Sequence, residues 1–160
     1  MAIRRSALSR DENFARVATA HRPTLLRYGL RRLDDLSSAE DLVADVFVVA
    51  WRRLDELPAR DEELFWLYAI AGNLVSNVLR GRQRSMRLEA RLALERRVDS
   101  EVDFTQENLG ILLAVLTHFA PHEQEMLRLV YWEGLTYRQL GHVIGCSEKA
   151  AGIRVSRLRQ

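Results

Sequence analysis

Between Gly134 and Arg159 the sequence G-L-T-Y-R-Q-L-G-H-V-I-G-C-S-E-K-A-A-G-I-R-V-S-R-L-R carries two helix starts and one helix stop. That spacing predicts two short helices joined by a tight turn. Thr136 followed three residues later by Gln139 is a capping box, in which each side chain satisfies an orphan N–H at a helix start. Gly145 stands where a left-handed residue would close that helix. Ser147 is a good N-cap for the next, and Glu148 in its first turn is favoured by the helix dipole. In the second helix Ala151, Val155 and Leu158 fall on one stripe, so Lys149, Ala150, Ile153, Arg154 and Arg157 point mostly away from it. An outward face that is basic, and small at its N-terminal end, suits a helix entering a DNA major groove. Any small helical domain can offer a helix, a glycine turn and a helix. The coincidence of turn, caps and basic face favours a helix-turn-helix.

The 160 residues, 48% hydrophobic and 29% charged, have a soluble globular composition and can hold one ordinary domain or two small ones. The longest apolar runs, such as Val46 to Trp51 and Leu64 to Ala71, fall far short of the roughly 20 residues a spanning helix needs. The N-terminus lacks the apolar core of a secretory signal, so a cytoplasmic location is expected. A single cysteine, Cys146, leaves no internal disulfide and no zinc cluster. Net charge is only +2, but its distribution is uneven. Arginines cluster at Arg80 to Arg84, Arg87 to Arg97 and Arg154 to Arg159, and acids at Asp34 to Asp45, Asp55 to Glu63 and Asp99 to Glu107. Such segregation suits a chain that meets DNA on some faces and protein on others.

Taken in order, Ser9 and Glu12 cap a first helix of about ten residues, with Phe14, Val17 and Ala18 on its apolar side, ending at His21 and Arg22. Pro23 fits the first turn of a second helix whose buried stripe is Leu25, Leu26, Leu30 and Leu33. Ser37 with Glu40 launches a third, Ala39 to about Leu54, whose apolar band is too wide for one core face; Val46, Val49 and Trp51 are candidates to lie against a partner. From about Glu62 to Arg80 runs the longest helical pattern, with Leu64, Leu67, Ala71, Leu74 and Val78 as its inner face. Its other faces carry Phe65, Trp66 and Ile70, then Asn73, Asn77 and Arg80. Aromatics that stack on unpaired bases, amides that read base edges and arginines for phosphate make a candidate single-strand surface, although Trp66 and Tyr68 are equally the material of an ordinary core. Residues 85–104 read as a linker, partly helical and partly mobile. Leu109 to Phe119 form a helix ending at Pro121, and Glu123 to Trp132 the next, with Met126, Leu127, Val130 and Tyr131 inward. The expected architecture is therefore all-α: two small helical domains, residues 1–84 and 105–160, the second a four-helix unit with the helix-turn-helix.

Catalytic and metal chemistry lacks its residues. His118 and His122 have a ligand-like spacing, but Pro121 interrupts the turn between them and no third ligand is near. There is no glycine-rich phosphate loop and no nucleophile elbow, so neither a cofactor nor an enzymatic activity is expected. Cys146, in the turn, reads as a small packing residue.

Two separated segments resemble the extracytoplasmic-function group of bacterial sigma factors, specificity subunits of RNA polymerase. A-E-D-L-V-A-D-V-F-V-V-A-W-R-R-L, Ala39 to Leu54, is similar to the family's polymerase-binding helix. W-L-Y-A-I-A-G-N-L-V-S-N, Trp66 to Asn77, is similar to its segment for the −10 promoter element, and the helix-turn-helix to that for the −35 element. The resemblance implies that Asp41, Leu42, Asp45, Val46, Phe47 and Trp51 dock on the clamp helices of the polymerase large subunit. It implies that Trp66, Asn73, Asn77 and Arg80, with the loop Pro58 to Glu63, hold splayed bases of the melted strand. It further implies that Lys149, Ala150, Gly152, Ile153, Arg154, Ser156 and Arg157 face −35 duplex DNA, and that an anti-sigma protein holds the factor inactive. Three positions depart from the pattern: Ala44 where glutamine is frequent, Glu63 where an aromatic is common, and Gly152 where the recognition helix is often basic.

Two other readings use the same residues. One is a stand-alone operator-binding regulator with only the C-terminal motif on DNA; the other is a helical adaptor that binds protein alone. The surface from Trp66 to Arg84 separates the regulator from the first, because a duplex-binding repressor does not need it; in an adaptor the arginine faces would be inert, and replacing Arg154 and Arg157 with alanine would change no activity.

Overall fold

The computed structural model describes residues 9–93, 116 and 118–160. Every regular element among them is helical. The expected helix from Leu109 to Phe119 and most of the expected linker lie outside the described residues, apart from a buried helical Leu116.

Helix α1 spans Arg10–Leu30 and opens on the expected capping box: Ser9 N–H donates to Glu12 Oε2 at 2.7 Å and Glu12 N–H to Ser9 Oγ at 3.2 Å. It does not stop at His21 but runs through Pro23. An interior proline removes one backbone bond and costs an isolated helix about 3 kcal/mol. Here Val17 lies before it and Leu25 and Tyr28 after it on one buried stripe, and packing of that stripe holds the helix together. Leu30, expected inside, is 44% exposed; the chain turns inward at Gly29 instead. A Cβ there would sit 3.2 Å from the Cβ of Ala39, so glycine lets α1 close on the next helix.

That helix, α2, spans Leu36–Arg52 and starts earlier than predicted. Its N-cap is Asp35, whose carboxylate accepts from both Ser38 N–H and Ser38 Oγ at 2.7 Å, in place of the expected Ser37 and Glu40 pair. Ala39, Leu42, Val43, Val46 and Ala50 face α1 and the core. A 3-10 turn, Leu54–Glu56, leads by a loop to α3, Glu63–Ala93. The buried side of α3 is Leu67, Tyr68, Ile70, Ala71 and Val75, with the Tyr68 ring stacked on Tyr28 at 5.0 Å. Val78, predicted as its last inner residue, is 38% exposed.

The chain divides into two compact units, and the division falls inside α3 after Val75. Toward the C-terminus α4 spans Pro121–Tyr131, α5 Tyr137–Ile144 and α6 Glu148–Leu158, all but His142–Ile144 belonging to the second unit. Pro121 occupies the first turn of α4, where its missing N–H would be unpaired in any case. Met126 and Leu129 point inward, whereas Tyr131, predicted inward, is 56% exposed. They pack with Leu116, Leu135, Leu140, Ala151 and Val155 as the core.

Candidate functional site

The helix-turn-helix forms as its caps dictate. Thr136 N–H donates to Gln139 Oε1 at 2.9 Å and Gln139 N–H to Thr136 Oγ1 at 3.3 Å. Gly145 closes α5 at φ 70°, ψ 43°, in the left-handed region that glycine adopts without strain. Cys146 N–H returns to the Gly141 carbonyl at 3.0 Å, and Ser147 Oγ accepts from Ala150 N–H at 3.2 Å to start α6. Loss of either side-chain cap should lower stability by about 1 kcal/mol. Thermal unfolding of Thr136→Ala and Ser147→Ala checks this, and Thr136→Ser should restore most of the loss.

On α6, Ala151 and Val155 are buried, and Lys149, Ile153, Arg154, Ser156 and Arg157 are exposed, with Ala150 half-buried at the rim. Gly152 is placed differently from the other outward residues. A Cβ on it would lie 3.2 Å from Tyr137 Cδ2, so its missing side chain serves the contact between α5 and α6. Sequence reasoning missed a second close approach, at Gly141: a Cβ there would meet the Cys146 carbonyl oxygen at 2.6 Å. The motif's turn folds over that glycine. The available signal was a glycine one turn before the Gly145 stop, inside a helix of only eight residues.

Along α3, Asn73, Asn77 and Arg80 are exposed, Trp66 is half-buried, and all four fall on one stripe opposite Leu67, Ala71 and Val75. The Arg80 guanidinium donates to Asn77 Oδ1 at 2.6 Å, and the Arg53 guanidinium carbon stands 6.0 Å from the Trp66 ring centre. Ile70, read as outward, is buried. So is Glu63, the first residue of α3. Its carboxylate accepts from Arg16 at 2.5 and 3.1 Å and lies 3.1 Å from His21 Nε2. Burial acts to raise the Glu63 pKa, but the hydrogen bonds from Arg16 and His21 and their charges outweigh it, and the group sits below its ordinary value. Glu63 is 47 residues from Arg16 and 42 from His21, and no local pattern joins it to them.

On α2 the expected docking residues divide by burial. Leu42 and Val46 are inside the chain's own core, which corrects the expectation that Val46 is left over for a partner. Asp41, Ala44, Asp45 and Val48 are exposed on one outer stripe. Phe47 is half-buried, its ring edge-on to Phe14 at 6.1 Å. Trp51, 38% exposed, also meets Phe14 edge-on, at 5.1 Å, and carries the Arg10 guanidinium over its ring at 5.2 Å. The over-wide apolar band is thus partly covered from within by α1.

Residues 17–85, from the middle of α1 well into α3, match the family described as Sigma-70 region 2. Over 156 residues the chain is 29% identical to the probable RNA polymerase sigma factor RfaY of Xanthomonas campestris pv. campestris, an alignment covering 93% of this chain and 39% of that protein. It is 27% identical, over 156 residues, to the ECF RNA polymerase sigma factor BldN of Streptomyces coelicolor, covering 92% of this chain and 58% of that one. The resemblance is to sigma-70 factors, among them one of the extracytoplasmic-function group. The chain spans less than two thirds of the length of these two relatives. Its fold is like that of the sigma factor RpoE in a co-crystal structure with the anti-sigma factor NepR from Bartonella quintana, with a TM-score of 0.54 at 21% identity, covering 93% of this chain and 91% of that one. The match to Sigma-70 region 2 contains the stripe from Trp66 to Arg80 and, of the Glu63 cluster, Glu63 and His21 but not Arg16. Among the described residues no helix is long and apolar enough to cross a membrane, and no three His, Cys, Asp or Glu side chains are grouped to hold a metal ion.

Proposed function

We propose that this chain binds core RNA polymerase and directs promoter-specific transcription initiation, with residues 105–160 on −35 duplex DNA and residues 1–84 holding the melted −10 strand. The observation that carries the reading is the stripe of half-buried Trp66 and exposed Asn73, Asn77 and Arg80 on the side of α3 opposite its core, in a chain that also has a basic recognition helix. A duplex-only repressor has no use for that stripe. Holding a base outside the stack costs a few kcal/mol, and stacking on an aromatic returns about 1–3 kcal/mol per base. The Trp66 face supplies the stacking platform, Asn73 and Asn77 the amides that discriminate base edges, and Arg80 a phosphate contact. On α6, Arg154 and Arg157 meet backbone phosphates and thereby fix the register of Lys149, Ala150, Ile153 and Ser156 against the groove.

The outer stripe of α2, Asp41, Asp45 and Val48 with the rim of Trp51, is acidic and apolar, and suits a basic helical surface such as the polymerase clamp. Leu42, Val46 and Phe47 support it from below. An anti-sigma protein would act by covering these faces, and the site of action is the cytoplasm. Run-off transcription with reconstituted core polymerase tests the reading. Asp45→Arg should weaken core binding by at least about tenfold while leaving the fold intact, since the side chain is exposed. A chain that binds promoter DNA equally well without core polymerase, and never supports initiation, would instead be an operator-binding regulator.

A further inference from the structure

Three successive elements converge on the Trp66 ring. Arg53 caps the C-terminus of α2, Glu56 ends the 3-10 turn that follows, and Trp66 stands in the first turn of α3. Glu56 Oε2 accepts from Arg53 Nε at 3.1 Å and from Nη2 at 2.5 Å, so one edge of the guanidinium is held and its charge is met by a carboxylate. The guanidinium carbon lies over the Trp66 ring, 6.0 Å from its centre. That is the widest guanidinium–ring pair among the described residues: Arg32 settles on Tyr28 at 3.5 Å, and Arg10 and Arg128 stand 5.2 and 5.5 Å from Trp51 and Trp132. At 6.0 Å a cation is at the limit of the ring's attraction. The bonds to Glu56, more than the indole, keep Arg53 in its place.

We propose that Arg53 and Trp66 are the two jaws of a slot that takes one unpaired base of the melted strand, with the indole on one face of the base and the guanidinium on the other. The inference rests on the function proposed above and adds to it a residue of α2 and a sandwich in place of an open platform. Aromatic rings and arginine planes are both surfaces on which unstacked bases pack. Two stacking steps of about 3.4 Å span about 6.8 Å, so a planar base enters if Arg53 withdraws by about 1 Å. Its side chain is 47% exposed and has room to do so. The partners of two arginines separate their roles. Arg80 bonds to the neutral Asn77 amide and keeps its whole charge for phosphate, whereas Arg53 shares its edge with a carboxylate that repels phosphate. What a guanidinium so paired still attracts is a flat, uncharged base.

The experiment uses holoenzyme made from core polymerase and the full chain, with two kinds of probe: single-stranded DNA of the −10 segment, and the same strand with each base in turn replaced by an abasic site. Affinities are measured across a salt series for the wild type, Arg53→Ala and Arg53→Lys. Arg53→Ala should weaken binding of the intact strand about fivefold, and the deficit should vanish on one abasic strand, the one that lacks the base filling the slot. Lysine, a point charge without a plane, should not restore the affinity. The slope of log affinity against log salt should stay at its wild-type value, because no phosphate contact is lost, and core affinity should not change. A slope reduced by about 0.7, with lysine restoring the affinity, would make Arg53 a phosphate contact and overturn the slot. A deficit that persists on every abasic strand overturns it too, as does full affinity in Arg53→Ala or a loss of core affinity, which would place Arg53 in the polymerase-docking surface. A wild-type holoenzyme that binds the intact strand no better than core polymerase alone would remove the underlying function as well, a result read before any variant is compared.

Discussion

Gly141→Ala should destabilise the C-terminal unit by about 2 kcal/mol, whereas Gly152→Ala, in the same motif, should change stability by less than about 0.5 kcal/mol. Helix propensity alone makes both substitutions favourable by about 1 kcal/mol, because each glycine is inside a helix. Their neighbours reverse one and cancel the other. At Gly141 the new methyl would lie 2.6 Å from the Cys146 carbonyl oxygen, a backbone atom fixed by the same turn in which Cys146 N–H returns to Gly141. Relief requires α5 and the turn to separate, which loosens Ser147 and the start of α6. Overpacking of that kind costs about 3 kcal/mol, more than propensity returns. At Gly152 the obstacle, at 3.2 Å, is a carbon of the half-buried Tyr137 ring, which can tilt by a few tenths of an ångström. Thermal unfolding of the full chain, with hydrogen exchange of the α5 and α6 amides, distinguishes the two. Equal effects would mean that the turn is not the constraint.

The second large effect belongs to Glu63. Its carboxylate is shut in the first unit with Arg16 and His21 as partners, and removing one member of such a cluster strands the others. Arg16 is a quarter exposed and recovers some hydration, so Glu63→Ala should cost about 2–4 kcal/mol, below the full penalty of a wholly buried pair. The folded pKa of Glu63 is lowered. Its contribution is therefore fully present above the unfolded value near 4.5 and is lost as pH falls through the lower folded value. Urea unfolding of wild type and variant at several pH values, read by tryptophan fluorescence, should show a constant gap near neutrality that narrows below about pH 4.5. A gap that widens in acid would mean that Glu63 is held protonated.

What the sequence disclosed was what acts over three or four residues. The caps at Ser9, Thr136 and Ser147 and the stop at Gly145 all form because donor and acceptor are near neighbours in the chain. Pro23 was misread because local chemistry favours a new helix there, while the stripe Val17, Leu25 and Tyr28 draws its stability from another element. Faces were misjudged where apolar residues crowd. In α4, Met126, Leu127, Leu129 and Val130 allow two inward directions, and packing chose the one that leaves Tyr131 outside. In α3 the aromatic Tyr68 stacks on Tyr28, which turns the inner face toward Tyr68 and Val75 and leaves Val78 at the surface. The Glu63 cluster and the Gly141 contact are tertiary, and composition carries no trace of them. The outward arginines and amides were legible because nothing competes for them.

The unbroken course of α3 has a consequence for how such a chain can vary. A helix has no slack, so one residue inserted or deleted between Asn77 and Arg84 would turn everything downstream by about 100° and aim the arginines and the amides in different directions. An insertion of four residues would restore the angular phase to within about 40° but carry the arginines about 6 Å further along. Apart from Arg80, the letters of this segment are free to change, whereas its length is not.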